Sequence, residues 1–151
     1  MYHNLRAAQG FLELGDPDSA WEELELIPAE ERAHPLVLRM RVYIYREKAR
    51  WMEMAEISRH LTEIEPHDSE HWTNRSFAER RHLGIPKAEK TLRIALEKFP
   101  QDALILYNLS CYVAKGGQME EAKELLGKAI RIDPTFKELA LNDEDLVGVW
   151  L

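Results

Sequence analysis

The sequence predicts an all-α protein, a solenoid of four helix-turn-helix repeats closed by a short C-terminal cap. Three observations carry this. Pro66, Pro100 and Pro134 stand 34 residues apart, each closing an apolar-periodic segment: Met54 to Glu65, Lys87 to Phe99 and Met119 to Asp133. A fixed period of this length marks stacked units, none of which buries its apolar face alone. In the same phase, one position stays small, with Ala20, Ala88 and Ala122 in three repeats and Met54 in the other. Two helices that cross closely need a small residue there. The third observation is bulk at the seam, Leu38, Trp72 and Leu106 on first helices and Leu24, Leu92 and Leu126 on second ones. Periodic placement of this kind is core packing rather than a cofactor platform. Counting from the prolines gives repeats at 1–34, 35–68, 69–102 and 103–136, and a cap at 137–151.

Each element has its own signals. In the first repeat, Asp16-Pro17 is a capped start, and Pro28 stops the second helix near Ile27, so that 28–34 becomes an ordered linker. In the second, Ala49-Arg50 stands where a glycine turn is expected, which leaves a helical turn open there. Met54, with its flexible thioether, implies a slightly splayed helix pair. The third repeat has Gly84-Ile85-Pro86, a glycine stop before a proline start. In the fourth, Asp102 caps a helix over 103–115, and Gly116-Gly117 leads to a second helix over 119–132. Beyond it, 135–141 reads as a short helix and 142–146 as an acidic turn. The apolar run 147–151 then covers the last repeat's open face.

The fourth repeat carries Leu106-Tyr107-Asn108-Leu109-Ser110, then Gly117, Glu121-Ala122, Ala129 and Asp133-Pro134. This pattern resembles the tetratricopeptide repeat. The resemblance covers about nine-tenths of the chain, strongest in repeats three and four and weakest in repeat one. It implies a right-handed α-solenoid whose first helices line a concave groove that holds extended peptides or partner helices.

Composition narrows the function. The chain has 151 residues, 45% hydrophobic and 31% charged, with charges interspersed, which suits a single soluble helical domain. A formal charge of −7 argues against nonspecific nucleic-acid binding. Cys111 is the only cysteine, so no intramolecular disulfide forms and a reducing compartment is expected. The N-terminus lacks a signal-peptide profile and no apolar stretch is long enough to span a bilayer, so the expected compartment is the cytoplasm and the expected state a monomer or weak homodimer. By repeat, the charge runs −6, 0, +2 and 0, and the tail carries −3.

No constellation of catalytic type stands out, and neither cofactor nor metal is expected. His67 and His71 flank carboxylates, but His67 follows a turn-forming proline and His71 lies in the next helix, so they do not share a helical face. The sequons at Asn74 and Asn108 fall mid-helix and are discounted. Placed on the geometry that the resemblance implies, Arg39, Tyr43, Arg46, Asn74, Phe77, Arg80, Arg81, Tyr107, Asn108, Cys111 and Lys115 face the groove. Arg39, Arg46, Arg80 and Arg81 form a cationic cluster whose complement is a ligand with carboxylates. The chaperone-adaptor subtype, which clamps a C-terminal carboxylate, is matched only at Arg39 and Asn74. Tyr43, Leu104 and Asn108 stand where Asn, Lys and Arg are needed, so heat-shock tail binding is not expected. The leading expectation is a non-catalytic scaffold or adaptor for an acidic or amphipathic peptide or helix. A secretion-type chaperone and a regulatory domain of a larger protein are the alternatives.

Overall fold

The computed structural model describes residues 1–150. Eight helices form four antiparallel pairs: α1 (Tyr2–Glu13) with α2 (Pro17–Glu25), α3 (Pro35–Glu47) with α4 (Trp51–Ile64), α5 (Ser69–His82) with α6 (Ile85–Lys98), and α7 (Ala103–Lys115) with α8 (Met119–Ile132). A short α9 (Phe136–Leu141) and a 3-10 helix over Glu144–Val149 complete the chain. No strand occurs among the described residues, and no described helix is long and apolar enough to cross a membrane.

The 34-residue phase is written into the caps. His34, Asp68 and Asp102 are the N-caps of the first helices α3, α5 and α7. Asp102 Oδ1 accepts from the Leu104 and Ile105 amides at 3.0 and 3.1 Å, Asp68 Oδ1 from Glu70 at 3.0 Å, and His34 Nδ1 from Leu36 at 3.2 Å. Each satisfies donors that the first helical turn leaves without partners. Asp16 does the same for α2 through the Ser19 amide at 3.1 Å.

The turns inside the repeats share one geometry. Gly15, Ala49 and Gly117 have φ of +75°, +52° and +86°, and the following amide closes each turn on a carbonyl five residues back: Asp16 on Phe11, Arg50 on Tyr45 and Gln118 on Val113. This is the left-handed helix ending that glycine normally provides. The Ala49-Arg50 turn is therefore left-handed, not helical. The third turn is one residue shorter. There Gly84, at φ +102°, takes the positive angle as the N-cap of α6.

Ala20, Met54, Ala88 and Ala122 have no exposed surface, as their place at the helix crossings requires. Met54 fits at the cost of intimacy, for α3 and α4 are the least closely packed of the four pairs. α4 and α6 start at Trp51 and Ile85, earlier than Met54 and Lys87; in α6 this is possible because Pro86 is tolerated within the first helical turn. α2 stops at Glu25, short of Ile27, and the linker 28–34 holds a 3-10 turn, Ala29–Glu31. Arg32 satisfies the open carbonyls of Glu25 and Ile27 at 2.7 and 2.9 Å. At the other end, the 3-10 helix lays Leu146 and Val149 into the core of α7 and α8, and Phe136 stacks on Tyr107 at 4.9 Å.

Candidate peptide-binding groove

The groove candidates fall into three environments. Arg39 and Tyr43, on α3, are spent on the next repeat. Arg39 is hydrogen-bonded to Asp68 and lies 3.8 Å from Glu65 and 3.7 Å from Glu70, while the Tyr43 hydroxyl donates to Glu70. Burial and the Glu70 bond push the Tyr43 hydroxyl up to about 12. Beneath them His71 is almost wholly buried, its Nε2 2.7 Å from Glu65. Glu65, Asp68 and His71 stand close enough to share a cation, and Arg39 provides it, its Nη2 lying also 3.4 Å from His71 Nε2. Sequence reasoning missed these carboxylates as partners of Arg39. The signal available was Asp68, whose place in the cap phase puts one oxygen on the α5 amides and leaves the other free for a neighbour.

Arg46 and Arg81 are placed differently. Their guanidinium carbons lie 4.2 and 3.5 Å from the centroid of Phe77, and Arg81 is also 5.1 Å from the Trp51 ring, which meets Phe77 edge-on at 5.7 Å. Arg81 Nη1 donates to the Phe77 carbonyl at 2.9 Å. Among the described residues, no carboxylate pairs with either arginine. Burial, and then the nearby charge of Arg80, pull the Arg81 pKa down, as expected for an uncompensated cation. Beside them opens a depression of about 710 Å³ of empty space, open solvent included, shaped by Arg46, Asn74, Phe77, Leu104 and Asn108, with Thr73 and Glu70, the latter already bonded to Tyr43, also in its wall. A second, of about 970 Å³, lies between α1 and α3 and shares Arg46, with Gln9, Leu12, Tyr43 and the acidic Glu13 and Glu47 in its wall. Lys115 is exposed at the end of α7 and has no carboxylate partner among the described residues.

Arg80, Tyr107 and Cys111 form the third environment, and they face the C-terminal segment. Arg80 grips Asp145 with two bonds, 2.6 and 3.1 Å, across the ring of Tyr112. The Tyr107 hydroxyl donates to Asp143 Oδ2 at 2.6 Å, and the Cys111 thiol sits 3.6 Å from the same oxygen. Burial, with the charges of Asp143 and Asp145, pushes the thiol up to about 12, and burial with the Asp143 bond also raises the Tyr107 hydroxyl. The thiol, Asp143 and Asp145 are near enough to share a cation; Arg80 fills that role, and a protonated thiol is a poor metal ligand. The sequence reading gave the acidic turn no role toward the groove. Its charge of −3, against the +2 of the third repeat, was the available hint.

No protein-family model matches the sequence, and no curated protein matches it. Solved structures do. TTC0263, described as a thermophilic TPR protein in Thermus thermophilus, superimposes with a TM-score of 0.75 at 19% identity, over 99% of this chain and 80% of that one. The chain has the tetratricopeptide-repeat fold. MamA 41-end from Desulfovibrio magneticus RS-1 gives 0.74 at 16% identity over 98% of this chain and 88% of its own, and a MamA RS-1 ArsTM double mutant gives 0.74 at 19% over 88% and 75%. In this tetratricopeptide-repeat solenoid, the depression shaped by α3, α5 and α7 is built from first helices; Arg46 lines it, and Arg81 lies against the Phe77 ring of its wall.

Proposed function

We propose that this protein is a non-catalytic interaction module of the cytoplasm that holds an acidic or amphipathic segment of a protein partner between α3, α5 and α7. The observation that carries the reading is the group Arg46, Phe77 and Arg81. Two guanidiniums share one aromatic ring beside an open groove, and no described carboxylate neutralises either. A carboxylate suits that fork in bidentate geometry, and aliphatic side chains suit Phe77 and Leu104. Asn74 and Asn108 are amide groups at the same depression, suited to donate to and accept from an extended backbone. A nucleophilic role for Cys111 is disfavoured, since its thiol is buried and held protonated.

The test is binding to fluorescent peptides graded in acidic content. Arg46→Ala combined with Arg81→Ala weakens capture of the acidic members about tenfold or more, about 1.4 kcal/mol, without lowering the thermal midpoint. Lys90→Ala with Lys123→Ala, exposed on second helices, leaves capture unchanged. Loss of binding in the lysine variant with retention in the arginine variant would place the interface on the second helices instead.

A further inference from the structure

The C-terminal segment does more than a cap requires. Covering the apolar face of α7 and α8 calls for Leu146 and Val149, and both are buried there. Asp143 Oδ1 serves that task by capping the 3-10 helix through the Asp145 amide at 3.0 Å, but its second oxygen reaches Tyr107 and Cys111 on α7, and Asp145 reaches Arg80 on α5, contacts that the cap does not need. Asp145 is the only described carboxylate that pairs with Arg80. Without it, Arg46, Arg80 and Arg81 would be neighbouring cations with no compensation, a repulsion already felt between Arg80 and Arg81. The 3-10 helix is short, and Glu144 and Val147 between its anchors are exposed. Its two polar anchors are charge-assisted bonds, of the kind that another carboxylate can take over.

We propose that Arg80, Tyr107 and Cys111 form a recognition site for a short segment of the pattern acidic, any residue, acidic, aliphatic, which Asp143–Leu146 fill in cis and which opens when a protein partner carrying such a segment displaces them. This rests on the reading of the groove as a binding surface and extends it by one repeat. The cis segment blocks ligands that lack the pattern and keeps Arg80 neutralised until a matching one arrives. Tethering gives the segment an effective concentration on the order of millimolar, so only a well-matched competitor displaces it.

Cys111, the single thiol, reports on the site directly. In the full chain, alkylation at pH 8 is slow. Asp143→Asn with Asp145→Asn speeds it about tenfold or more, and a peptide with the sequence of residues 140–150 slows it again. The same peptide with both aspartates replaced by asparagine does not protect, and adding Arg80→Ala to the released chain abolishes protection. Thermal melting verifies that each variant is folded. Should the released variant fail to fold, the wild-type chain serves: millimolar peptide accelerates hydrogen exchange of the amides of residues 144–150. Slow alkylation in a folded released variant, protection that survives Arg80→Ala, or wild-type exchange indifferent to the peptide would each overturn the proposal. If peptide capture still depends on Arg46 and Arg81 while Cys111 labelling ignores both tail and peptide, the groove stands and only the cis segment is wrong.

Discussion

Ala49 holds a backbone angle of +52° that Gly15 and Gly117 hold at the equivalent turns without a Cβ. A left-handed conformation costs a non-glycine residue about 1–2 kcal/mol, and glycine returns roughly 0.5–1 kcal/mol of that through its looser unfolded chain. Ala49→Gly should therefore stabilise the protein by a few tenths to about 1 kcal/mol, read as a higher urea midpoint at unchanged slope. A lower midpoint would mean that the turn is not under strain. Arg39 and Arg81 looked alike as groove arginines, and their surroundings separate them. Arg39 ties α3 to three carboxylates around the start of α5, whereas Arg81 touches only aromatic rings and a carbonyl. Arg39→Ala leaves these carboxylates and His71 uncompensated and should cost about 1 kcal/mol or more, although screening of its partly exposed partners limits the loss. Arg81→Ala should leave the thermal midpoint in place. Equal melting of the two variants would show that the Arg39 network contributes no more than a surface pair.

At the scale of elements, stability rests on the close crossings. Ala88 and Ala122 are wholly buried between their helices, so replacing either with Trp overpacks a contact that has no room and should cost about 1–3 kcal/mol. Glu120→Trp, on the exposed face of α8, is the control, and equal denaturant midpoints would mean that the assigned phase is wrong. Electrostatic ties between pairs give a pH signature. Arg93 on α6 donates to Glu121 on α8 at 2.8 Å, and this bond holds the Glu121 carboxyl below its ordinary 4.5. A depressed carboxyl stabilises the fold above its unfolded value and loses that contribution as pH falls through the folded one. The melting temperature of the wild-type protein should therefore fall more steeply below pH 4.5 than that of Glu121→Gln, and parallel curves would show the pair to be idle.

For the whole molecule, the 34-residue period already contains the architecture, because it is repeated in quantities that act locally. Asp102 and Asp16 announce caps, Gly117 announces a left-handed turn, and Ala88 and Ala122 announce close crossings, each through interactions within a few residues or one helix pair. Ala49 was unreadable for a related reason. Its angle is imposed by the packing of α3 on α4, against its own preference. The candidate site was legible only as a list of residues on first helices. Which of its arginines remain uncompensated depends on carboxylates distant in sequence: Asp68 is 29 residues from Arg39, and Asp145 is 65 from Arg80. Charge acts through space and has no period. By itself, then, the sequence determined the repeat, its caps and the faces that its helices bury, since helix periodicity and backbone sterics are local. Only the tertiary structure decided that Arg39 is a fastener, that Arg80 is held by the chain's own tail, and that Arg46 and Arg81 pair with no described carboxylate, because the placement of distant carboxylates is fixed only when the solenoid closes around them.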